Sequence, residues 1–274
     1  MQRNEHNGKS VKHDYKTIFI SDVHLGTRDC KADNLHNFLK HNKCETLYLV
    51  GDIIDGWRVQ QNKWFWNQSH SNVVQKILKL GKRGTRVIYV AGNHDEFLRP
   101  LIPFGIGFGE IEIVNQIEHI GIDNNRYLVI HGDIFDGISA IAPWLSVIGD
   151  KGYDLILILN NKFNWVRRKL GFGYWSLSAY IKSKVKSAVS FVFEFETNII
   201  EYCRKRGFDG IICGHIHQSE IKEIDGLMYM NDGDFQESCT AIGETYCGDF
   251  VLLQYLSGKW ITTATYDTVN NIVI

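Results

Sequence analysis

The stretch IFISDVHLG, residues 18–26, decides the fold that this sequence predicts. An apolar, β-branched run ends there in Asp22 and His24, two metal-binding side chains separated by one residue. Such a run, bounded by polar residues and glycine, is typical of a buried β-strand. One Asp-x-His triplet arises by chance in many chains. Its meaning therefore depends on whether other strands end in the same way.

Four further apolar runs, residues 46–55, 86–95, 126–133 and 209–217, also end in polar side chains. The side chains presented there are Asp52, Asp55, Asn93, His94, Asp95, His131, Asp133, His215 and His217. Because ligand sites form at the carboxyl ends of strands in α/β sheets, we expect these groups to lie together. Oxygen and imidazole donors without a thiolate favour Mn²⁺, Fe or Zn²⁺.

The composition predicts an ordinary globular protein. The 274 residues are 44% apolar and 22% charged, which suits one large domain or one domain with an insertion. A net charge of −1 gives no global attraction to nucleic acid or to anionic membranes. The six cysteines include no Cys-x-x-Cys pair, so neither a zinc knuckle nor a disulfide framework is predicted, and a reducing cytosol is expected.

The pattern along the chain divides it into three parts. Residues 1–16 are polar and are predicted to be a flexible leader. Strand and helix patterns alternate over 17–138 and strands resume over 207–274, which predicts one α/β core with a largely parallel central sheet and a C-terminal hairpin. One of these helix patterns, near residues 71–81, has Ser69 or Ser71 as its predicted cap. Residues 139–206 predict a helical cap insertion within the same domain, with one amphipathic helix within residues 153–170 and another from Ser176 that ends at Gly207.

The insertion is basic and rich in aromatic residues. Residues 139–200 carry eight Lys and Arg against four Asp and Glu, a net charge of +4. A basic, apolar lid suits a substrate that has phosphates and acyl chains. The alternative is that these helices only pack on their own core, with the cations on the solvated face. The candidate substrate contacts are Arg167, Arg168, Lys182 and Lys186.

Together the five motifs resemble those of the calcineurin-like metallophosphoesterases, over roughly residues 17–235. The resemblance implies an α/β fold with a two-sheet β-sandwich flanked by helices, and two divalent metal ions, most often Mn²⁺, with Fe or Zn²⁺ as alternatives. The first metal would be held by Asp22, His24, Asp52 and His217, and the second by Asp52, Asn93, His131 and His215.

His94 follows a predicted ligand and is a candidate catalytic residue. It could protonate the leaving oxygen, with Asp95 as the catalytic partner that orients it. The alternative is that His94 only positions Asn93. Asp55 and Asp133 are interpreted as acceptors for ligand imidazoles or for strand turns.

The order of the motifs, with a helical insertion before GHIH and a C-terminal hairpin, is similar to the UDP-2,3-diacylglucosamine pyrophosphatases of lipid A synthesis. Members of that group often have Arg directly after the motif Asn, where this chain has His94. The segment NDGDFQESCTA, residues 231–241, is typical of a related branch. The resemblance implies cleavage to UMP and 2,3-diacylglucosamine 1-phosphate by attack of a metal-bridging hydroxide.

Alternative functions remain open from the sequence. They are hydrolysis of another lipid-linked or nucleotide phosphodiester, or a non-catalytic scaffold, although the presence of all seven ligands favours an enzyme. The expected partner is a phosphorylated small molecule or lipid, and no nucleic acid. The expected location is cytoplasmic, with peripheral contact at the inner face of the cytoplasmic membrane, and the oligomeric state is left open.

Overall fold

The structure is a computed structural model, which describes residues 13–105, 107–135, 169, 177–256 and 258–274, with the backbone alone for 177–189. The chain divides into two compact units. One comprises the stretches up to Asp133 and from Ile199 to Ile274, and the other is Ile134–Asn198. The first unit contains all of the described strands.

In chain order the strands are β1 (His13–Ile20), β2 (Asn42–Val50), β3 (Arg86–Val90), β4 (Ile111–Val114), β5 (Gln116–Ile120), β6 (Arg126–Ile130), β7 (Gly210–Cys213), β8 (Glu220–Ile224), β9 (Leu227–Asn231), β10 (Thr240–Glu244), β11 (Phe250–Leu256), β12 (Lys259–Asp267) and β13 (Ile272–Val273). The helices are α1 (Ala32–His41), α2 (Gly56–Gln60), α3 (Gln68–Gly81) and α4 (Leu177–Arg206), with 3-10 helices at Glu96–Phe104 and Asp133–Phe135.

These strands form two mixed sheets. The first has eight strands in the order β13-β12-β11-β10-β1-β2-β3-β4, and only the neighbours within β1 to β4 pair in parallel. The second has the order β5-β6-β7-β9-β8, with β6, β7 and β9 parallel and both edge strands antiparallel. The prediction of a largely parallel central sheet is therefore wrong for half of the first sheet. Its last strands are joined by short turns, which require antiparallel pairing.

Alternate residues of β1 pack into two different cores, because successive side chains in a strand point to opposite faces. Ile18 and Ile20 pack in the core that includes buried residues of α1 and α3. Phe19 lies in a second core with Tyr48 of β2 and with buried residues of the second sheet. The two sheets thus pack face to face, and helices cover the outer face of the first, as the predicted sandwich requires.

Several element boundaries differ from the sequence prediction. β1 begins at His13, inside the stretch predicted to be a leader. The cap of α3 is Asn67 rather than Ser69 or Ser71, since the Asn67 side chain accepts a hydrogen bond from the His70 amide. α4 coincides with the helix predicted before Gly207. The other helix predicted in the insertion, within residues 153–170, lies outside the described residues except for position 169.

The antiparallel pair of β11 and β12 confirms the predicted C-terminal hairpin. Strands β4, β5, β8, β10 and β13 were not predicted, because they are short and several are half exposed. Within the described part of the chain, no helix combines the length and the hydropathy needed to cross a bilayer.

A buried polar network joins the two sheets far from the strand ends that carry the candidate ligands. Glu244 of β10 is fully buried and pairs in register with Thr17, whose hydroxyl donates a 2.6 Å hydrogen bond to it. His119 Nε2 of β5 lies 3.0 Å from the same carboxylate. Burial alone would raise the pKa of Glu244, but these partners outweigh burial and lower its pKa.

We expect Glu244→Ala to lower the free energy of unfolding by about 2–5 kcal/mol, because it leaves the Thr17 hydroxyl and His119 Nε2 without their partner in the core. The lowered pKa of Glu244 means that this stabilisation is present above its usual pKa of 4.5 and is lost as the pH falls through its folded value. Urea titrations at pH 7 and at acid pH would test this. A difference between the two proteins that grows on acidification would contradict it.

Candidate metal centre

The candidate ligands lie at the carboxyl ends of parallel strands in both sheets. In the first sheet β1 is followed by Asp22 and His24, β2 by Asp52, and β3 by Asn93. In the second sheet β6 is followed by His131, and β7 by His215 and His217. Parallel strands end on the same side of a sheet, so the fold brings residues together that are distant in sequence.

A first group of side chains surrounds Asp22. Nε2 of His217 lies 3.0 Å and Nε2 of His24 lies 3.7 Å from Asp22 Oδ1. The ligand-type atoms of Asp22, His24 and His217 all lie within 4.8 Å of one another. Asp52 Oδ2 approaches this group, 3.9 Å from Nε2 of His24.

A second group surrounds His131. Its Nε2 lies 3.3 Å from Asp52 Oδ2, 3.2 Å from Asn93 Oδ1 and 3.2 Å from Nδ1 of His215. His131 Nδ1 lies 2.8 Å from the carbonyl oxygen of Val50, an acceptor that places the hydrogen on Nδ1 and leaves Nε2 for the site. The same oxygen of Asp52 thus faces both groups.

The backbone is strained at five of the seven predicted ligands. Asp22, His24, Asp52, His215 and His217 have positive φ angles between 49° and 72°. Non-glycine residues seldom adopt this left-handed conformation, which costs about 1 kcal/mol or more each. Five instances in one site indicate that the surrounding structure enforces these side-chain directions.

Glycines leave room for the ligands. A Cβ at Gly92 would collide with the Asp52 carboxylate, and a Cβ at Gly214 would collide with Ser21 and Asp22. Glycine permits this close approach because it has no side chain. The Gly that precedes Asn93 and the Gly that precedes His215 are therefore required by packing at the site.

The electrostatics of the site show an excess of buried negative charge. Burial would lower the pKa of His24, but Asp22 and Asp55 outweigh burial and raise it to about 10. Burial would also lower the pKa of His131. Asp52 outweighs burial, and the pKa of His131 lies well above its usual value. The carboxylates thus draw positive charge into the pocket, and a bound divalent cation would displace protons from these imidazoles.

A comparison with family profiles shows what kind of protein carries this arrangement. Residues 15–219 match the profile described as Calcineurin-like phosphoesterase. The chain belongs to the calcineurin-like phosphoesterase family.

Two relatives show how widely this sequence pattern is shared. A UDP-2,3-diacylglucosamine hydrolase of Wigglesworthia glossinidia brevipalpis is 25% identical, over 78% of this chain and 84% of the relative. A DNA polymerase II small subunit of Methanothermobacter thermautotrophicus is 23% identical, over 81% of this chain and 48% of the relative. The solved structure of Yfce, a phosphoesterase from E. coli, has a TM-score of 0.45 and 12% identity, over 91% of this chain and 97% of that one.

Calcineurin-like phosphoesterases use divalent metal ions, and the described residues fit that requirement. Asp22 Oδ1 and both ring nitrogens of His24 are buried and make no well-aligned hydrogen bond within the described structure. They nevertheless lie within 4 Å of other ligand-type atoms. Buried polar atoms are rarely left without a partner. Buried ligand-type atoms that converge with poorly aligned hydrogen bonds are the arrangement expected around a shared cation.

The surroundings of His94 correct one prediction. The carboxylate nearest its ring is Asp55, whose Oδ1 lies 3.2 Å from His94 Nδ1. Asp95, predicted to orient His94, instead accepts hydrogen bonds from the amides of Ile53 and Ile54 and from the Tyr89 hydroxyl. Asp95 was misassigned because neighbouring residues in a turn point in different directions.

His94 itself lies at the rim of the site. Its amide donates a 2.8 Å hydrogen bond to Asp52 Oδ1, and its Nε2 lies 3.9 Å from Asp52 Oδ2. The indole of Trp57 packs on the imidazole, with 4.0 Å between ring centroids. The ring is one-fifth exposed, so it can meet a substrate as well as the candidate ligands.

Asp133 does not contact a ligand imidazole. Its Oδ2 accepts a 2.7 Å hydrogen bond from Arg99, which also donates to the carbonyl oxygen of Ala91. Arg99 thereby ties the loop before Asn93 to the loop after His131. No sequence signal marks Arg99, because it lies in a 3-10 helix without a motif of its own.

The four proposed substrate contacts cannot be placed at the site. Arg167 and Arg168 lie outside the described residues. Lys182 and Lys186 lie in the first part of α4, residues 177–189, for which only the backbone is described. Their role stays a prediction.

Proposed function

We propose that this protein hydrolyses phosphoesters at a dinuclear metal centre and that its substrate is UDP-2,3-diacylglucosamine, cleaved to UMP and 2,3-diacylglucosamine 1-phosphate. The observation that carries the proposal is the position of Asp52, whose Oδ2 lies 3.3 Å from His131 and 3.9 Å from His24. One carboxylate between two groups of ligands is the arrangement of a two-metal site.

The residues proposed to hold the first cation are Asp22, His24, Asp52 and His217, and those proposed for the second are Asp52, Asn93, His131 and His215. We propose Mn²⁺ as the metal, with Fe and Zn²⁺ as alternatives, because all donors are oxygen or imidazole nitrogen. When bound, the two cations supply positive charge for the phosphoryl oxygens.

His94 is proposed to hold the proton that the leaving oxygen receives. Asp55 lies against Nδ1 of its ring and Trp57 packs on its face, so the ring is held with Nε2 toward Asp52. A histidine positioned in this way is suited to general acid catalysis near neutral pH. Asp95 contributes indirectly by holding the loop that follows Asp52.

The lipid part of the proposal is supported by the Wigglesworthia relative and by the basic, aromatic composition of residues 139–200. Arg167, Arg168, Lys182 and Lys186 are proposed to contact the substrate's phosphates. Cytoplasmic location with peripheral contact at the inner membrane face follows as part of the same proposal, since the acyl chains would present the substrate at a membrane surface.

Metal removal tests the proposal directly. We expect chelation followed by desalting to abolish hydrolysis, and about two equivalents of Mn²⁺ to restore it. Binding to the folded state alone should also stabilise the protein, by about 2.7 kcal/mol for each site at a free Mn²⁺ concentration of about 100 times its Kd. Activity that survives complete chelation would contradict a metal-dependent mechanism.

The substrate is tested by release of UMP from UDP-2,3-diacylglucosamine by the Mn²⁺-loaded protein, with bis(p-nitrophenyl) phosphate assayed in parallel. Cleavage of both supports the full proposal. Cleavage of the aryl diester alone would retain the hydrolase and direct the search to other lipid-linked or nucleotide phosphodiesters. Cleavage of neither by a metal-loaded protein would favour a non-catalytic scaffold.

A further inference from the structure

A third strand of the second sheet also ends at the metal site without supplying a predicted ligand. β9 runs parallel to β7 and ends at Asn231. The five residues Asn231–Phe235, which we call the brace, are all buried. They are the first five residues of the segment NDGDFQESCTA. The proposed reaction uses none of their side chains.

The brace is bonded to the loop that carries His215 and His217. The Asp232 amide donates a 3.0 Å hydrogen bond to the carbonyl oxygen of Cys213. Nδ2 of Asn231 donates a 2.7 Å hydrogen bond to the carbonyl oxygen of Gly214. Both bonds fix the backbone immediately before His215.

The brace is also bonded to the loop that carries Asp22 and His24. The Phe235 amide donates a 3.0 Å hydrogen bond to the carbonyl oxygen of Asp22. The Ser21 hydroxyl lies 2.5 Å from Asp22 Oδ2 and 2.5 Å from Asp232 Oδ1. One serine therefore connects a predicted ligand with an acidic side chain that is not a ligand.

The side chain of Asp232 is incompletely paired for a buried acid. The residue is fully buried, and its Oδ2 has no hydrogen-bond partner in the described structure. Burial raises the pKa of Asp232 well above its usual value, which favours the neutral acid. Because Ser21 has a single hydroxyl hydrogen, Asp232 Oδ1 can then donate to Ser21 Oγ while the serine donates to Asp22 Oδ2. The contact of its Oδ1 with Ser21 is the feature that connects it to function.

We propose that Asp232 is a positioning residue of the metal centre, acting through Ser21 on Asp22. The relay holds Asp22 Oδ2 against Ser21, and Oδ2 also accepts a 2.8 Å hydrogen bond from the His215 amide. With Oδ2 fixed, Oδ1 faces His24 and His217. This inference rests on the proposed metal centre and adds residues that control its affinity for metal.

The protein contains a matched control for this arrangement. Glu244 is also a fully buried acid, and Thr17 of β1, the strand that ends just before Ser21, donates a hydroxyl hydrogen bond to it. Glu244 contacts none of the predicted ligands in the described structure. Substitutions at Glu244 therefore report the general cost of losing a buried acid and its hydroxyl partner.

The experiment is titration of metal-free protein with Mn²⁺ by calorimetry, together with the Tm of each metal-free variant. We expect Asp232→Ala and Ser21→Ala to weaken Mn²⁺ binding by about 10- to 100-fold, the range found when groups that orient ligands are removed. Asp232→Asn should stay within about threefold of wild type, because its amide can donate to Ser21 Oγ and leave the serine hydrogen for Asp22. Glu244→Ala should lower the Tm but change Mn²⁺ affinity by less than about twofold.

The outcomes separate this inference from the proposed function. Wild-type protein that binds no Mn²⁺ would contradict both. Wild-type protein that binds Mn²⁺, with Ser21→Ala and Asp232→Ala binding it equally well, would contradict the positioning role alone. A loss of affinity in Glu244→Ala equal to that in Asp232→Ala would also overturn it. If Asp232→Ala does not fold, the comparison of Ser21→Ala with Asp232→Asn decides.

Discussion

Asp52→Asn is expected to lower kcat/KM for phosphodiester hydrolysis by about 10³-fold while the protein stays folded. The Asp52 carboxylate faces His24 on one side and His131 on the other, so its charge is shared by both proposed cation sites. An amide is isosteric but neutral, and its NH₂ group cannot coordinate a cation. The measurement is steady-state hydrolysis of bis(p-nitrophenyl) phosphate together with the metal content of the purified variant.

The control for Asp52→Asn is the same substitution at Asp123. This carboxylate accepts hydrogen bonds from the Tyr127 hydroxyl and the Asn125 amide, in the turn before β6. The turn lies at the amino end of β6, whereas His131 follows its carboxyl end. Asp123→Asn should therefore keep activity within about twofold. Substantial hydrolysis by Asp52→Asn at full metal content would contradict the bridging role.

His94→Gln is expected to have an effect that depends on the leaving group. For an alkyl phosphodiester we expect kcat to fall by about 10²- to 10⁴-fold, because a basic leaving oxygen needs a proton from a general acid. For a p-nitrophenyl diester the leaving oxygen departs as a stable anion, and the loss should be less than about tenfold. The measurement is kcat for both substrates at saturating Mn²⁺.

This comparison distinguishes the two interpretations of His94. If the residue only positions Asn93, the loss should be the same for both leaving groups. Asp55→Asn provides a second test, because Asp55 lies 3.2 Å from His94 Nδ1 and its removal should weaken the same step to a smaller extent. Asp55 also lies 3.5 Å from Nδ1 of His24, so the metal content of this variant must be measured alongside its activity.

The pattern of strand ends carried most of the information about the site. Each of the seven predicted ligands follows a strand that ends on the site's side of its sheet, and the structure brings all seven together. The sequence could show this because an apolar run ending in Gly and a polar ligand is a local signal. The convergence of those ends follows from parallel pairing, which the alternation of strands and helices predicts.

Contacts between loops could not be predicted in the same way. The local pattern placed Asp95 beside His94, but the structure places Asp55 there. The relay from Asp232 through Ser21 to Asp22 joins residues 211 positions apart in sequence, and Arg99 joins two loops from different sheets. A single sequence contains no signal for such pairs, because each depends on how two sheets pack.

The sequence by itself thus determined the α/β class, the family resemblance and the identity of the residues at the strand ends. The tertiary structure alone decided that parallel pairing in the first sheet is confined to β1 to β4. It also decided that Asp52 faces both groups of ligands, and which acidic side chains hold the ligands in place. The reason is physical. Periodicity and turn chemistry act within about ten residues of chain. The distances of 3–4 Å that define a metal site are set by packing between segments that meet only after both sheets have formed.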